Sequence, residues 1–138
     1  MGASGIWFES KFDVEKRAGG CMLGEHASAL VVDLQAIYCA GVYLTVVILA
    51  CTIIDAHLRE VEGGEKYEGG IQAAFSELTS ISGLDWLRKR RNHLVHFRER
   101  PTPTITVEDQ YLERKNHEAD ACRAIELVSR VLFENPWT

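Results

Sequence analysis

The sequence predicts an all-α protein, a single up-and-down bundle of four main helices. Three observations predict it. Near the end of the chain, apolar residues recur with helical spacing at Ala121, Cys122, Ile125, Val128 and Leu132. Earlier, the 19 residues from Ala36 to Ile54, "AIYCAGVYLTVVILACTII", carry no charge and are far too long for a strand. The stretches with strand character, Val31-Val32 and Thr104 to Val107, are too short to build a sheet. A chain of 138 residues, 46% hydrophobic and 25% charged, suits one domain around one core.

Residues 1–24 are glycine-rich, with Gly19, Gly20 and Gly24 as breakers, and are expected to form a flexible arm with a short helix near Phe8 to Arg17. Residues 25–138 are expected to form the domain. Its first long helix should run from about Gln35 to Val61 and stop at Gly63-Gly64. The charge-free run within it approaches the roughly 20 residues of a membrane span. However, Gly41, Thr45, Thr52 and two tyrosines dilute it, and Asp33 and Asp55 bound it. No Lys or Arg cluster stands beside it to set a topology. The expectation is a central helix buried on nearly all sides, and no membrane.

Ile71 to Thr79 reads as a short helix. Ser82 and Asp85 have the S-x-x-D spacing of a capping box and should start the next one. Pro101 and Pro103 should end it, because a residue before proline avoids helical geometry. The last helix should span Val107 to Glu134, polar in its first turns and apolar in its last, so that only its C-terminal half packs deeply.

The net charge of −5 argues against a general nucleic-acid coat protein. The charge is uneven, however. Between Asp85 and Arg100, six basic residues face two acidic ones, for a local +4 on a remainder of −9. Such an island is a candidate anion site, although a solvated helix face has the same appearance. Cys21, Cys39, Cys51 and Cys122 match no zinc spacing and contain no CxxC. Cys39 and Cys51 sit among apolar residues, as reduced cysteines do, which fits a cytoplasmic setting. Glu9, Lys11 and Asp13 stand where an export signal needs an apolar run.

The stretch "RRNHLVHF", Arg90 to Phe97, holds the residues that bear on function. With Leu84 at 0° and about 100° per residue, Trp86, Leu87, Leu94, Val95 and Phe97 cover an apolar arc from about 200° to 20°. Arg88, Asn92 and His96 form a polar stripe at about 40°, 80° and 120°, and Asn92 and His96 are spaced to touch. Arg91, near 340°, falls inside the apolar arc, and Arg90, near 240°, does too. A guanidinium there cannot shed its charge, so it needs a carboxylate or a phosphate. Asp55 shares a helix face with Ile48, Cys51 and Leu58, so an Arg91–Asp55 pair is the structural explanation for both residues.

"RNHLVH" matches the R-N-x-x-x-H signature of the HEPN superfamily, small all-α domains many of which are metal-independent RNases. The surrounding sequence resembles that family as well. "LDWLRKRRNHLVHF" looks like its leucine-rich motif helix, and "YLTVVILACTIIDAHLRE" like its long apolar helix with an acidic residue near the end. The resemblance covers roughly residues 36 to 134 and implies a HEPN-like fold. By position, Arg91 and His96 would be the catalytic pair, and Asn92 the polar residue that often follows the Arg. Asp55 would be a supporting acid, where the family more often carries Glu. Arg88 to His93 fits the same spacing but lacks the Asn.

What the resemblance implies is an endoribonuclease that needs no cofactor and no metal. RNA brings its own nucleophile, the ribose 2′-OH. His96 would act as base or acid, since imidazole titrates near neutral pH. Arg91 would hold the phosphorane in a bidentate fork, and Asn92 would fix the imidazole or a phosphate oxygen. The products would be a 2′,3′-cyclic phosphate and a 5′-OH. Arg91 and His96 lie about 140° apart on one helix, so one copy converges poorly on one phosphate. A homodimer with a shared cleft would do better, with Arg88, Lys89, Arg98 and Arg100 on the RNA backbone. Such a chain would be a toxin with an antitoxin partner, or a defence protein. The alternative is a catalytically silent helical dimer that binds a protein or a nucleotide, with Arg91 serving structure. Elsewhere, His57 is expected at an exposed helix end, and His26 and His117 have no partner in sequence. Trp86 and Phe97 are expected in the core or at a dimer contact, and Trp137 folded back on the bundle.

Overall fold

The computed structural model describes residues 25–62, 81–96 and 105–133, all helical apart from short connections, with no strand among them. Five helices follow in order: α1 (Glu25–Cys39), α2 (Tyr43–Glu62), α3 (Leu84–Val95), α4 (Val107–Leu112) and α5 (Arg114–Phe133). The all-α expectation holds. The expected arm (1–24), the short helix at 71–79, Phe97, Arg98, Arg100, both prolines near 101 and Trp137 lie outside the described residues.

The single long helix expected from Gln35 to Val61 is two helices. The break is a chain reversal at Gly41, whose φ is +78°. Gly41 N–H donates to the Tyr38 carbonyl and Val42 N–H to the Ile37 carbonyl, so the last free carbonyls of α1 are satisfied by a Schellman turn. That turn needs a left-handed residue, which glycine supplies without a Cβ penalty. The apolar run is thereby folded back on itself. No helix among the described residues is long and apolar enough to cross a membrane.

Side-chain contacts give the directions. Glu60 Oε1 accepts from Ala27 N–H at 3.1 Å, so the end of α2 caps the start of α1 and the two form an antiparallel hairpin. The Arg114 guanidinium stacks on the Tyr43 ring, 4.9 Å from its centroid, placing the starts of α5 and α2 together. Arg90 reaches Asp120 and Arg123 lies over Trp86, so α3 runs antiparallel to α5. The order is therefore up, down, up, down, with α4 a short prelude to α5.

Helix α2 is the centre. Val46, Val47, Ala50, Cys51, Ile53, Ile54 and Leu58 are fully buried, and α1, α3 and α5 all pack on it. From α5, Ala121, Ala124, Ile125, Leu127, Val128, Val131, Leu132 and Phe133 enter the core. Its first turns stay exposed apart from His117, as its sequence pattern predicts. The expected single helix from Val107 is interrupted at Glu113, where α4 ends. A capping box at Thr106 and Asp109 starts α4. The Ser82–Asp85 box expected for α3 does not form. Gly83, at φ +98°, is the N-cap and no side chain caps the helix, while Asp85 pairs forward with Arg88 and Lys89. Nor does α3 wait for Pro101: it ends at Val95.

His57 is another correction. It is only 6% exposed, and its Nδ1 has no hydrogen-bond partner among the described residues. Burial holds its pKa below the ordinary 6.5, and Glu60 offsets this only in part.

Gly41 and His57 each leave a mark on stability. Gly41→Ala should cost about 1–2 kcal/mol, because it forces alanine into the left-handed region and drives its Cβ against the Arg114 guanidinium; urea unfolding measures it. Because His57 binds its proton less readily folded than unfolded, stability should be complete above 6.5 and fall as pH drops from there toward the depressed folded value. His57→Phe should flatten that part of a pH–stability curve.

Candidate functional site

Helix α3 seats itself through Leu84 and Leu87, both buried, with Leu94 and Trp86 partly buried against the same core. Cys51 of α2 lies beneath it, its thiol donating to the Leu87 carbonyl at 3.5 Å. This docking decides where each cation of the basic island goes. Of the apolar arc predicted for α3, Leu87 is buried and Trp86 and Leu94 are partly buried, while Val95 is exposed at the helix end and Phe97 lies outside the described residues.

Each cation meets a different environment. Arg88 and Lys89 both bond the exposed Asp85, at 3.0 and 2.9 Å, and they hold its carboxyl below the usual carboxylate range. Such surface pairs contribute little to stability, since both partners stay solvated. Arg90 crosses to α5, where its Nε donates to Asp120 Oδ2 at 3.1 Å, and its Nη1 meets His93 Nδ1 at 3.1 Å. A guanidinium only donates, so His93 Nδ1 is the acceptor and its proton sits on Nε2. On the helical wheel Arg90 and Arg91 are equivalent problems; among the described residues, Arg90 has a carboxylate, Asp120, and Arg91 has none.

Arg91 is half-buried. One arm, Nη1, donates to its neighbour Asn92 Oδ1 at 2.9 Å. Its Nε is buried and has no hydrogen-bond partner among the described residues. The expected Asp55 pair is not made. Asp55 has a nearer cation on its own helix, Arg59, whose Nε donates to both carboxylate oxygens at 3.0 Å. An i,i+4 contact within one helix costs less ordering than a contact between helices. Arg91 still lies close to Cys51: its charge, with that of Arg88, lowers the thiol pKa against the dominant effect of burial, which pushes the thiol up to about 12.

His96 is the C-cap of α3 and exposed. It has left helical geometry, with φ −117° and ψ 109°, and its backbone N–H donates to the Asn92 carbonyl at 2.9 Å. The side-chain contact expected between Asn92 and His96 is not made: the Asn92 oxygen accepts from Arg91, and His96 has left the helical geometry on which the i,i+4 spacing rests. Arg91 and Asn92 are thus brought together, while His96 stands apart at the helix end. The fourth expected member, Asp55, faces Arg59. Among the described residues no group of His, Cys, Asp and Glu is arranged to hold a metal.

Sequence reasoning missed two polar features of α3. Asp120 is the partner of Arg90, and its signal was available: an acid on the α5 turn next to buried Ala121. The Arg90–His93 contact is an i,i+3 pair and was equally readable. His117, 5% exposed with its Nδ1 unpartnered among the described residues, could not be found from spacing alone.

Comparison of the chain with protein-family models, with curated proteins and with solved structures finds no match.

The thiols of the chain have a testable order of reactivity. In the folded chain, a thiol reagent should label exposed Cys39 readily and leave Cys51 untouched until the chain unfolds, read by mass spectrometry of labelled peptides.

Proposed function

We propose that the chain is a metal-independent endoribonuclease of HEPN type, cytoplasmic, acting as a toxin or defence RNase through a cleft shared by two copies. The observation that carries this reading is Arg91. It is a permanent cation, half-buried, with a buried Nε that lacks an acceptor, one arm steered by Asn92, and no carboxylate paired to it among the described residues. A phosphate oxygen is the kind of acceptor such a fork takes. His96, exposed at the end of the same helix, supplies a group that can take or give a proton.

In the proposed reaction a neutral His96 imidazole takes the ribose 2′-OH proton. The 2′-oxygen bonds to phosphorus and the bond from phosphorus to the 5′-oxygen breaks. A protonated His96, from the second copy, gives its proton to that leaving oxygen. Arg91 stabilises the charge on the phosphorane, helped by its low-dielectric setting. Arg88, Lys89 and Arg98 would hold the flanking phosphates, and an antitoxin would be the natural protein partner. Since Arg88 and Lys89 share only an exposed acid, phosphates can replace Asp85 at small cost.

One observation favours a second reading, a silent helical module in which Arg91 serves structure. Arg91 is half-buried and bonds Asn92, while His96 is the exposed C-cap of the helix, and no contact joins the two within one chain. The variants separate the readings. Arg91→Ala and His96→Ala should each lower RNA cleavage by about 10²–10⁴-fold and relieve toxicity on expression, with helical circular dichroism and oligomeric state unchanged. If His96→Ala cuts RNA as the parent does, the catalytic assignment is wrong. If Arg91→Ala unfolds the chain and His96→Ala changes nothing, the structural role stands.

A further inference from the structure

Helix α3 carries one end of a hydrogen-bonded chain of three polar side chains that the proposed reaction leaves unused. Arg90 Nε donates to Asp120 Oδ2 of α5 at 3.1 Å, and Arg90 Nη1 donates to His93 Nδ1 at 3.1 Å. Arg90 and Asp120 are both partly buried, at 20% and 31% side-chain exposure, so water competes weakly for the link. The Asp120 carboxylate offsets the charge of Arg90 and fixes where its fork lies.

The Arg90–Asp120 pair by itself joins α3 to α5. The second bond does something more: it settles which ring nitrogen of His93 carries the proton. The Nδ1 lone pair is engaged by Arg90, so the neutral ring keeps its proton on Nε2 and has no second basic nitrogen to offer. His93 is therefore unsuited to take a proton and suited to donate a hydrogen bond. A ring held in one tautomer by a partner that is itself oriented is how binding and catalytic sites preset a histidine.

Position names the acceptor. Lys89 and His93 are one turn apart on α3, near 140° and 180° on the helical wheel. Lys89 is exposed and His93 partly so, and His96 caps the same helix three residues further on. In the ribonuclease reading Lys89 holds a flanking phosphate and His96 handles the 2′-OH proton, so a strand that meets both passes His93. The non-bridging phosphate oxygen recurs at every step of such a strand and only accepts.

We propose that His93 is a further contact to the RNA backbone, donating from Nε2 to a phosphate oxygen, with Arg90 and Asp120 as positioning residues that hold its tautomer. The identity of the ligand rests on the ribonuclease reading; the tautomer lock does not.

Long-range nitrogen–proton NMR of the full chain, at mildly alkaline pH where imidazole is neutral, tests the lock. His93 should show a single Nε2–H tautomer. Arg90→Met with Asp120→Asn, which removes the relay at constant net charge, should let both tautomers appear. An oligouridylate with fluorine in place of each 2′-hydroxyl, which binds without being cut, tests the contact at the same pH. His93→Phe, a ring without the donor, should raise its dissociation constant about tenfold. His93→Gln, a donor without the ring, should keep most of the affinity. A neutral donor displaces no counterion, so His93→Phe should leave the salt dependence unchanged, whereas Lys89→Ala should lower its slope by about 0.7. The relay variant should weaken binding in the parent and add nothing in His93→Phe. His93→Ala serves if the phenylalanine variant loses helical circular dichroism. A parent whose His93 carries its proton on Nδ1, or binding by His93→Phe and His93→Ala equal to the parent's, overturns the proposal; if that parent still cuts RNA, the ribonuclease reading survives. Binding lost in His93→Phe, with no RNA cut by the parent, keeps the contact and removes the nuclease. A parent that does not bind the oligonucleotide overturns both.

Discussion

Helix α2 has to lose water on three sides at once. Its buried residues, from Val46 through Ile53 and Ile54 to Leu58, do not form one stripe; they spread around much of the helix. No single neighbour can cover such a helix, so α1, α3 and α5 are each needed. The hydrophobic effect is non-directional and gives only the demand for cover. Direction comes from the few specific contacts at the ends: the Gly41 turn, Glu60 on the first turn of α1, and Arg114 on Tyr43. Core and clasps together fix how α3 lies, and hence which of its cations look inward.

The electrostatics of α3 follow from that orientation. Four consecutive cations, Arg88 to Arg91, would repel one another on an isolated helix. Here Arg88 and Lys89 lean back on Asp85, Arg90 is drawn across by Asp120, and Arg91 is half-buried with one arm on Asn92. The cost of half-burying Arg91 is not offset by an ion pair to Asp55, which Arg59 occupies. A charge kept partly desolvated, with no counter-charge among the described residues, is unusual for a purely structural residue. The same arrangement is what an anion-binding group requires: donors already aimed and poorly hydrated.

Helical periodicity was enough to read the last helix, where buried Ala121, Ile125, Val128 and Leu132 fall where their spacing puts them. It was also enough to see that the run after Ala36 is a core element. It did not reveal the reversal at Gly41, because a lone glycine in an apolar stretch signals dilution as readily as a turn. What selects the turn is the packing of α1 along α2, a long-range gain no local window contains. The Ser82 cap failed for a similar reason: Asp85 has two cations one turn ahead, and they compete for it. His57 was misread as exposed because the helix continues to Glu62 with its inner face still covered. At the site, the wheel placed Arg91 correctly inside the apolar arc, yet it could not distinguish it from Arg90. That distinction depends on Asp120, some thirty positions away in sequence.

Because α2 and α5 point the same way, the chain between them must travel back along the bundle, and α3 is that return limb. A return limb has no wall on its far side until the closing helix arrives. For a chain made from its N-terminus, Arg90 meets Asp120 only after α5 has been synthesised and docked. The motif helix, seated on α2 through Leu84 and Leu87, thus takes its second support from a helix that follows it in sequence.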